Sequence, residues 1–245
     1  MPTNHFPQKI INILISIVDN YGDMGTALEW CEAYERQYPG DARFVYWVDR
    51  VEDFLHFSHA TRPSQEYEIH DLQKYLSDNT SPVTISFLSA PRVPNTHFAK
   101  SLSLHIGYLS FDKKWTQGNE SEHIFSTKKH TMIELVPSIL ETGAGLIPHR
   151  DARYTREELQ KMLAIDGDVR ADWLVFFLYA DTFARIDWTT FSKSSMIFFI
   201  GTGHAPIPNA FAYSLLPTDV YYSLLTHSNF SIIRGDTTLA EMLQL

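Results

Sequence analysis

The chain has 245 residues, 44% of them hydrophobic and 20% charged, which is enough to bury a core in one large domain or two small ones. Its formal net charge of −9 argues against a general affinity for nucleic acid or anionic membrane, because the non-specific part of such binding is phosphate neutralisation by Lys and Arg. The single cysteine, Cys31, excludes an intrachain disulfide. Beside Trp30 it reads as a buried small hydrophobe, and it suits a reducing compartment. No stretch has the pattern of a signal peptide, and no apolar run approaches the ~20 residues that span a bilayer. A cytoplasmic location is therefore expected.

Residues 10–18 form an almost continuous apolar run, broken by Asn12 and Ser16, with the look of a strand buried on both faces of a parallel sheet. A loop with two glycines follows over 19–25. Met24, Ala27, Leu28, Cys31 and Tyr34 then recur at helical spacing up to Tyr38, and Pro39-Gly40 ends that helix. Residues 43–48 predict a second strand, giving a β-loop-α-β unit. Helical patches are expected over 51–57 and 70–77, and strands over 83–88 and 102–109. Residues 112–135 are polar and read as irregular; 137–150, with Thr142-Gly143-Ala144-Gly145 and two prolines, reads as a linker.

Thr155-Arg156-Glu157-Glu158 is a capping box that opens a helix to about residue 164. Apolar, aromatic-rich strands are expected over 173–179 and 196–200, a helix over 218–226 and a short strand over 230–233. A second capping box, Thr238-Leu239-Ala240-Glu241, starts a last helix. Strands alternating with helices in both halves predict two α/β units, residues 1–148 and 149–245.

Ligands of open α/β sheets bind at the carboxyl ends of the strands. The loop 19–25 falls there and carries Asp19 and Asp23, with Gly22 and Gly25 expected to let the backbone turn tightly. Two carboxylates would repel a pyrophosphate; they suit a general base, a hydrogen-bond acceptor or a metal ligand. Close carboxylates also raise one another's pKa, which helps a base work near neutral pH. The plainer reading is a turn with Asp23 as helix cap. A second candidate is Arg234-Gly235-Asp236-Thr237-Thr238, after the strand over 230–233, where helix N–H groups, hydroxyls and an arginine favour an anion. Gly201-Thr202-Gly203-His204 is a weaker glycine-rich fragment. The eleven histidines show no metal spacing, and no metal is expected.

The chain resembles the bacterial protein-arginine rhamnosyltransferases that modify translation elongation factor P, the EarP family. Val18-Asp19-Asn20-Tyr21-Gly22-Asp23-Met24-Gly25 is similar to the family's opening Val-Asp-Asn-Phe-Gly-Asp-Ile-Gly. Trp47-Val48-Asp49, Tyr108-Leu109-Ser110 with Trp115, Thr142-Gly143, Phe177-Leu178-Tyr179 and Arg234-Gly235-Asp236 follow in the family's order. The resemblance implies a GT-B architecture: an acceptor-side Rossmann-like domain over 1–148 and a nucleotide-sugar-binding one over 149–245, facing a cleft. It implies an inverting transfer of rhamnose from dTDP-β-L-rhamnose to an arginine of elongation factor P, with no further cofactor. Asp19 and Asp23 would be the catalytic carboxylates, Asp23 favoured as base and Asp19 as the group orienting the guanidinium. Asn20, Tyr21, Gly22, Gly25, Phe177, Tyr179, Arg234, Gly235, Asp236, Thr237 and Thr238 would contact the nucleotide sugar. Asp236-Thr237-Thr238 stands where the family has Glu-Asp-Ser, and Ala180 stands in place of an acid. Family members continue beyond the last helix, so the second domain is expected to be incomplete. The alternative is a degenerate relative that binds elongation factor P without turnover. A metal-dependent hydrolase using both aspartates is a third reading.

Overall fold

A computed structural model describes residues 8–17, 21–78, 83–87, 90, 101–106, 122–126, 130–135, 152–178, 182, 185–188, 191 and 195–233. The chain divides into two compact units, one of Met1–His56 with Glu66–Pro148, the other of Phe57–Gln65 with His149–Leu245. Each is an α/β unit built on a largely parallel sheet. No helix among the described residues is long and apolar enough to cross a membrane.

The first unit holds β1 (Lys9–Ile15), α1 (Gly22–Gln37), β2 (Ala42–Val48), α2 (Val51–Thr61, whose last turn falls in the second unit), β3 (Glu68–Asp71), α3 (Leu72–Asp78), β4 (Val83–Phe87), β5 (Ser101–Ile106), β6 (Glu122–Ser126) and β7 (His130–Leu135). Its seven strands are ordered β3-β2-β1-β4-β5-β7-β6. All pairs are parallel except β6 with β7. Two expectations are corrected here. The helix expected over 70–77 begins later: residues 70 and 71 close an edge strand, 68–71, in which Ile69 pairs with Tyr46 and gives the polar segment its anchor. The tract expected to be irregular contains the antiparallel pair β6–β7 at the other edge. Edge strands tolerate polar residues, so neither segment carries the apolar run that marks an inner strand.

Register separates the sheet into two unlike faces. Ile11, Ile13 and Ile15 align with Phe44, Tyr46 and Val48, and the last two of the three with Ile85 and Phe87. This face packs aromatically: Trp30 of α1 lies edge-on to Phe44 and Phe87, and the fully buried Phe54 of α2 lies on Tyr46. On the opposite face Asn12, Thr84 and Ser103 form one row, and Leu14, Ser86 and His105 the next. The five polar residues are all buried. Trp47 Nε1 donates to Asn12 Oδ1 at 2.7 Å, and Asn12 Nδ2 donates to the Val83 carbonyl at 3.2 Å. Tyr75 of α3 bonds Thr84, and Ser86 Oγ lies 2.8 Å from His105 Nδ1. The apolar members of this face, Leu14, Val45 and Trp47, pack with Leu72 and Tyr75 of α3.

At the amino-terminal edge, Lys9 N–H donates to the Asp41 carbonyl at 3.0 Å. Asp41 also accepts from Tyr34 of α1 at 2.6 Å and from Lys9 Nζ at 2.9 Å. The helix stops as expected at Pro39-Gly40, where Gly40 takes φ +73°.

The second unit holds α4 (Arg156–Met162), β8 (Trp173–Phe177), β9 (Met196–Ile200), β10 (Phe211–Tyr213), α5 (Thr218–Thr226) and β11 (Phe230–Ile233). Its sheet runs β10-β9-β8-β11, all parallel. The three-residue β10 was not expected; it is too short to show a period. The capping box at Thr155 is present in full. The Arg156 guanidinium, stacked on Trp173, donates to the carbonyls of Val169, Ala171 and His227 and to Asn229 Oδ1. Thr218 of α5 donates to the Thr61 carbonyl at 3.1 Å, which fastens the Phe57–Gln65 segment into this unit. Here β8 and β9 are apolar on both faces. Burying each of Phe176, Phe198 and Phe199 contributes roughly 1.5–3 kcal/mol. The expected linker at 137–150 and the last helix at 238 and beyond lie outside the described residues.

Two outcomes follow. Asn12→Leu strands the Trp47 N–H in the core and lowers stability by about 1–3 kcal/mol in urea unfolding. Adding Trp47→Phe removes the orphan and recovers part of that loss; a fully additive double variant would refute the link. The second outcome concerns alkali. The bond to Asp41, with burial and the Asp41 charge, pushes the Tyr34 hydroxyl up to about 12. The folded chain holds this proton more tightly than the unfolded one. The contribution is therefore whole below the ordinary tyrosine value of about 10 and is lost as the pH rises toward about 12. Tyr34→Phe should lose less stability than the parent across that window, measured by urea midpoints; equal slopes would contradict it.

Candidate functional site

In the first sheet the strand order reverses between β1 and β4, the position where open α/β sheets take ligands at their carboxyl ends. The chain leaves β1 there and enters α1 at Gly22. Asp23 sits in the first helical turn, 8% exposed. Tyr21 is the N-cap residue, 36% exposed, and makes no side-chain capping bond. The reading of Asp23 as cap is therefore corrected: it lies inside the helix, where the dipole favours an acidic group. The reading of Gly22 and Gly25 as tight-turn residues is corrected too. Both are helical, and Gly25 N–H donates to the Tyr21 carbonyl at 2.9 Å. The described glycines in the left-handed region are Gly40 and Gly201.

Asp49, the acid at the end of β2, reaches this exit. Its Oδ2 accepts from Ser16 Oγ at 2.6 Å, and its Oδ1 accepts from the Ile17 N–H at 2.9 Å. Sequence reasoning had met Asp49 only as the end of Trp47-Val48-Asp49. The available signal was its place, an acid directly after the second strand of a β-α-β unit.

Tyr21, Gly22, Asp23 and Gly25 are thus brought together on one helix start. Asp19 and Asn20 lie outside the described residues, as do Tyr179, Arg234, Gly235, Asp236, Thr237 and Thr238. Among the described residues no group of three or more His, Cys, Asp or Glu side chains is arranged to hold a metal.

In the second sheet the order reverses between β8 and β11. Phe177 ends β8 and pairs in register with Ile233, the last residue of β11 and the one before Arg234. The Phe177 ring lies against Gly201, which follows β9 with φ +83°; a Cβ there would stand 3.2 Å from the ring. Tyr221 of α5 flanks it with centroids 6.4 Å apart. The fragment Gly201-Thr202-Gly203-His204 closes on itself: Thr202 Oγ1 accepts from the His204 N–H and donates to its carbonyl, both at 3.2 Å. Its glycine serves a left-handed turn that leaves room for Phe177.

Gly201→Ala should cost about 1–2 kcal/mol from the left-handed backbone alone and should displace the Phe177 ring. Thermal unfolding and the aromatic NMR shifts of Phe177 report the two effects; an unshifted ring would show that the contact is loose. No protein-family model matches this chain, and no curated protein matches it in sequence.

Proposed function

We propose that this chain is a cytoplasmic, GT-B-type protein-arginine glycosyltransferase that moves rhamnose from dTDP-β-L-rhamnose to an arginine of elongation factor P. The first unit serves the acceptor and the second the nucleotide sugar. The observation that carries the reading is the buried Asp23 carboxylate in a first helical turn that also contains Gly22 and Gly25, at the order reversal of a parallel sheet. Each glycine inside a helix costs about 0.5–1 kcal/mol against alanine. Keeping two of them on either side of Asp23 removes side-chain bulk next to its backbone, which suits close approach by a substrate. The sugar and acceptor identities rest on the resemblance of this segment and of Phe177 and Arg234–Asp236 to the rhamnosyltransferases.

The chemistry asks for paired acids. An arginine stays protonated near neutral pH and is a poor nucleophile. Asp19 orients the guanidinium, and Asp23 accepts its proton as the N–C1 bond forms. The C1–O bond to the pyrophosphate breaks with inversion, and dTDP leaves with the electron pair. Arg234 neutralises the leaving group, while Phe177 and Tyr179 flank the thymidine.

Intact-mass analysis of elongation factor P, incubated with this protein and dTDP-rhamnose, should show the gain of one deoxyhexose. Asp23→Asn should lower the rate by at least about 100-fold, the scale of a lost general base, while the donor still raises the melting temperature. Capture of the factor without a mass gain would overturn the enzymatic reading in favour of a binding relative. Activity abolished by EDTA would favour a metal-dependent mechanism instead.

A further inference from the structure

Asp49 stands on a rigid corner. Before it, Val48 is paired in register with Ile15 and with Asp71. After it, the Arg50 carbonyl accepts from Phe54 N–H at 3.1 Å as α2 begins, and Phe54 is fully buried. From this corner the carboxylate grips the two residues that follow the paired part of β1. Ser16 Oγ donates to Oδ2 at 2.6 Å, and the Ile17 N–H donates to Oδ1 at 2.9 Å and to Oδ2 at 3.2 Å. A side chain thus continues the fixation of β1 beyond the end of its ladder. Ile17 is 5% exposed, so the gripped backbone is also packed.

In dinucleotide-binding β-α-β units an acid near the end of the second strand holds ribose hydroxyls. Here that carboxylate is turned onto its own chain. Asp19 follows Ile17 by two residues, and α1 with Asp23 begins at Gly22. We infer that Asp49 is a positioning residue, which fixes the course on which the chain leaves β1 toward α1 and so seats Asp23 in the first helical turn. The inference rests on the proposed role of Asp23 as base, whereas the grip itself is a property of the fold. A charge-assisted bond to a backbone N–H is stronger and more directional than a neutral one, and a misplacement of about 1 Å at a reacting centre can cost on the order of 100-fold in rate.

The test combines steady-state transfer to elongation factor P with hydrogen exchange on the whole chain. Asp49→Ala should lower kcat by about 10- to 100-fold with KM for dTDP-rhamnose within about twofold of the parent. Exchange should speed up over residues 16–21 and stay unchanged over β8 and β9. Asp49→Asn keeps an acceptor for Ile17 and should restore most of kcat. Faster exchange throughout the first sheet, in step with lost activity, would make Asp49 merely structural and overturn the inference. So would a raised donor KM at constant kcat, which would make it a ligand contact. Unchanged exchange over 16–21 in Asp49→Ala would overturn it as well. If the parent transfers no sugar, the glycosyltransferase reading falls, and the exchange comparison still decides whether Asp49 governs the exit from β1.

Discussion

One amide in the middle of β1 ties three strands together. Asn12 accepts from the Trp47 indole on β2 and donates to the Val83 carbonyl on β4. An apolar residue at this position would fill the space but leave the indole N–H buried without a partner. A strand that slips by one residue turns its whole side-chain pattern over. A buried amide with partners on both sides penalises such a slip more sharply than dispersion alone. The position of the β1 carboxyl end, and with it the start of α1 and the grip of Asp49, follows from this register.

The two sheets share the order in which the first strand stands inside, with its second and third to one side and the fourth to the other. They reach it by different means. The second sheet uses aliphatic and aromatic side chains on both faces of β8 and β9. The first uses them alone on one face and sets hydroxyls, an amide and an imidazole among them on the other. Dispersion is forgiving of small shifts, whereas paired polar groups in a dry interior are not. The first sheet therefore gives its carboxyl edge the more closely specified geometry, and that is the edge where Asp23 stands.

Much of this arrangement was legible in the residues. Nearly continuous apolar runs, β-branched in β1 and aromatic-rich in β8 and β9, marked these inner strands, because strands buried on both faces have no room for a period. The 3.6-residue spacing and Pro39-Gly40 marked α1, and the Thr155 box marked α4. What escaped notice had physical reasons. β3, β6 and β7 lie at or beside sheet edges and carry polar residues at positions that an inner strand would fill with apolar ones. The start of α1 was misplaced because two glycines and an aspartate are the commonest turn residues; only the backbone shows them to be helical. The polar face of the first sheet was invisible because Asn12, Thr84, Ser86, Ser103 and His105 come from separate strands and meet only through register. Asp49 was seen as part of a motif, but its bond to Ile17 depends on how β1 and β2 align.

Cys31 lies on the inner side of α1, 3% exposed, beside the Tyr46 hydroxyl, which burial pushes well above its ordinary range. It is the only thiol in the chain. A reagent reaches it only when the helix lifts from the sheet, so its rate of alkylation is a built-in clock for that motion. The same helix carries Asp23 in its first turn, which makes a single sulfur atom a gauge of how firmly the proposed base is seated.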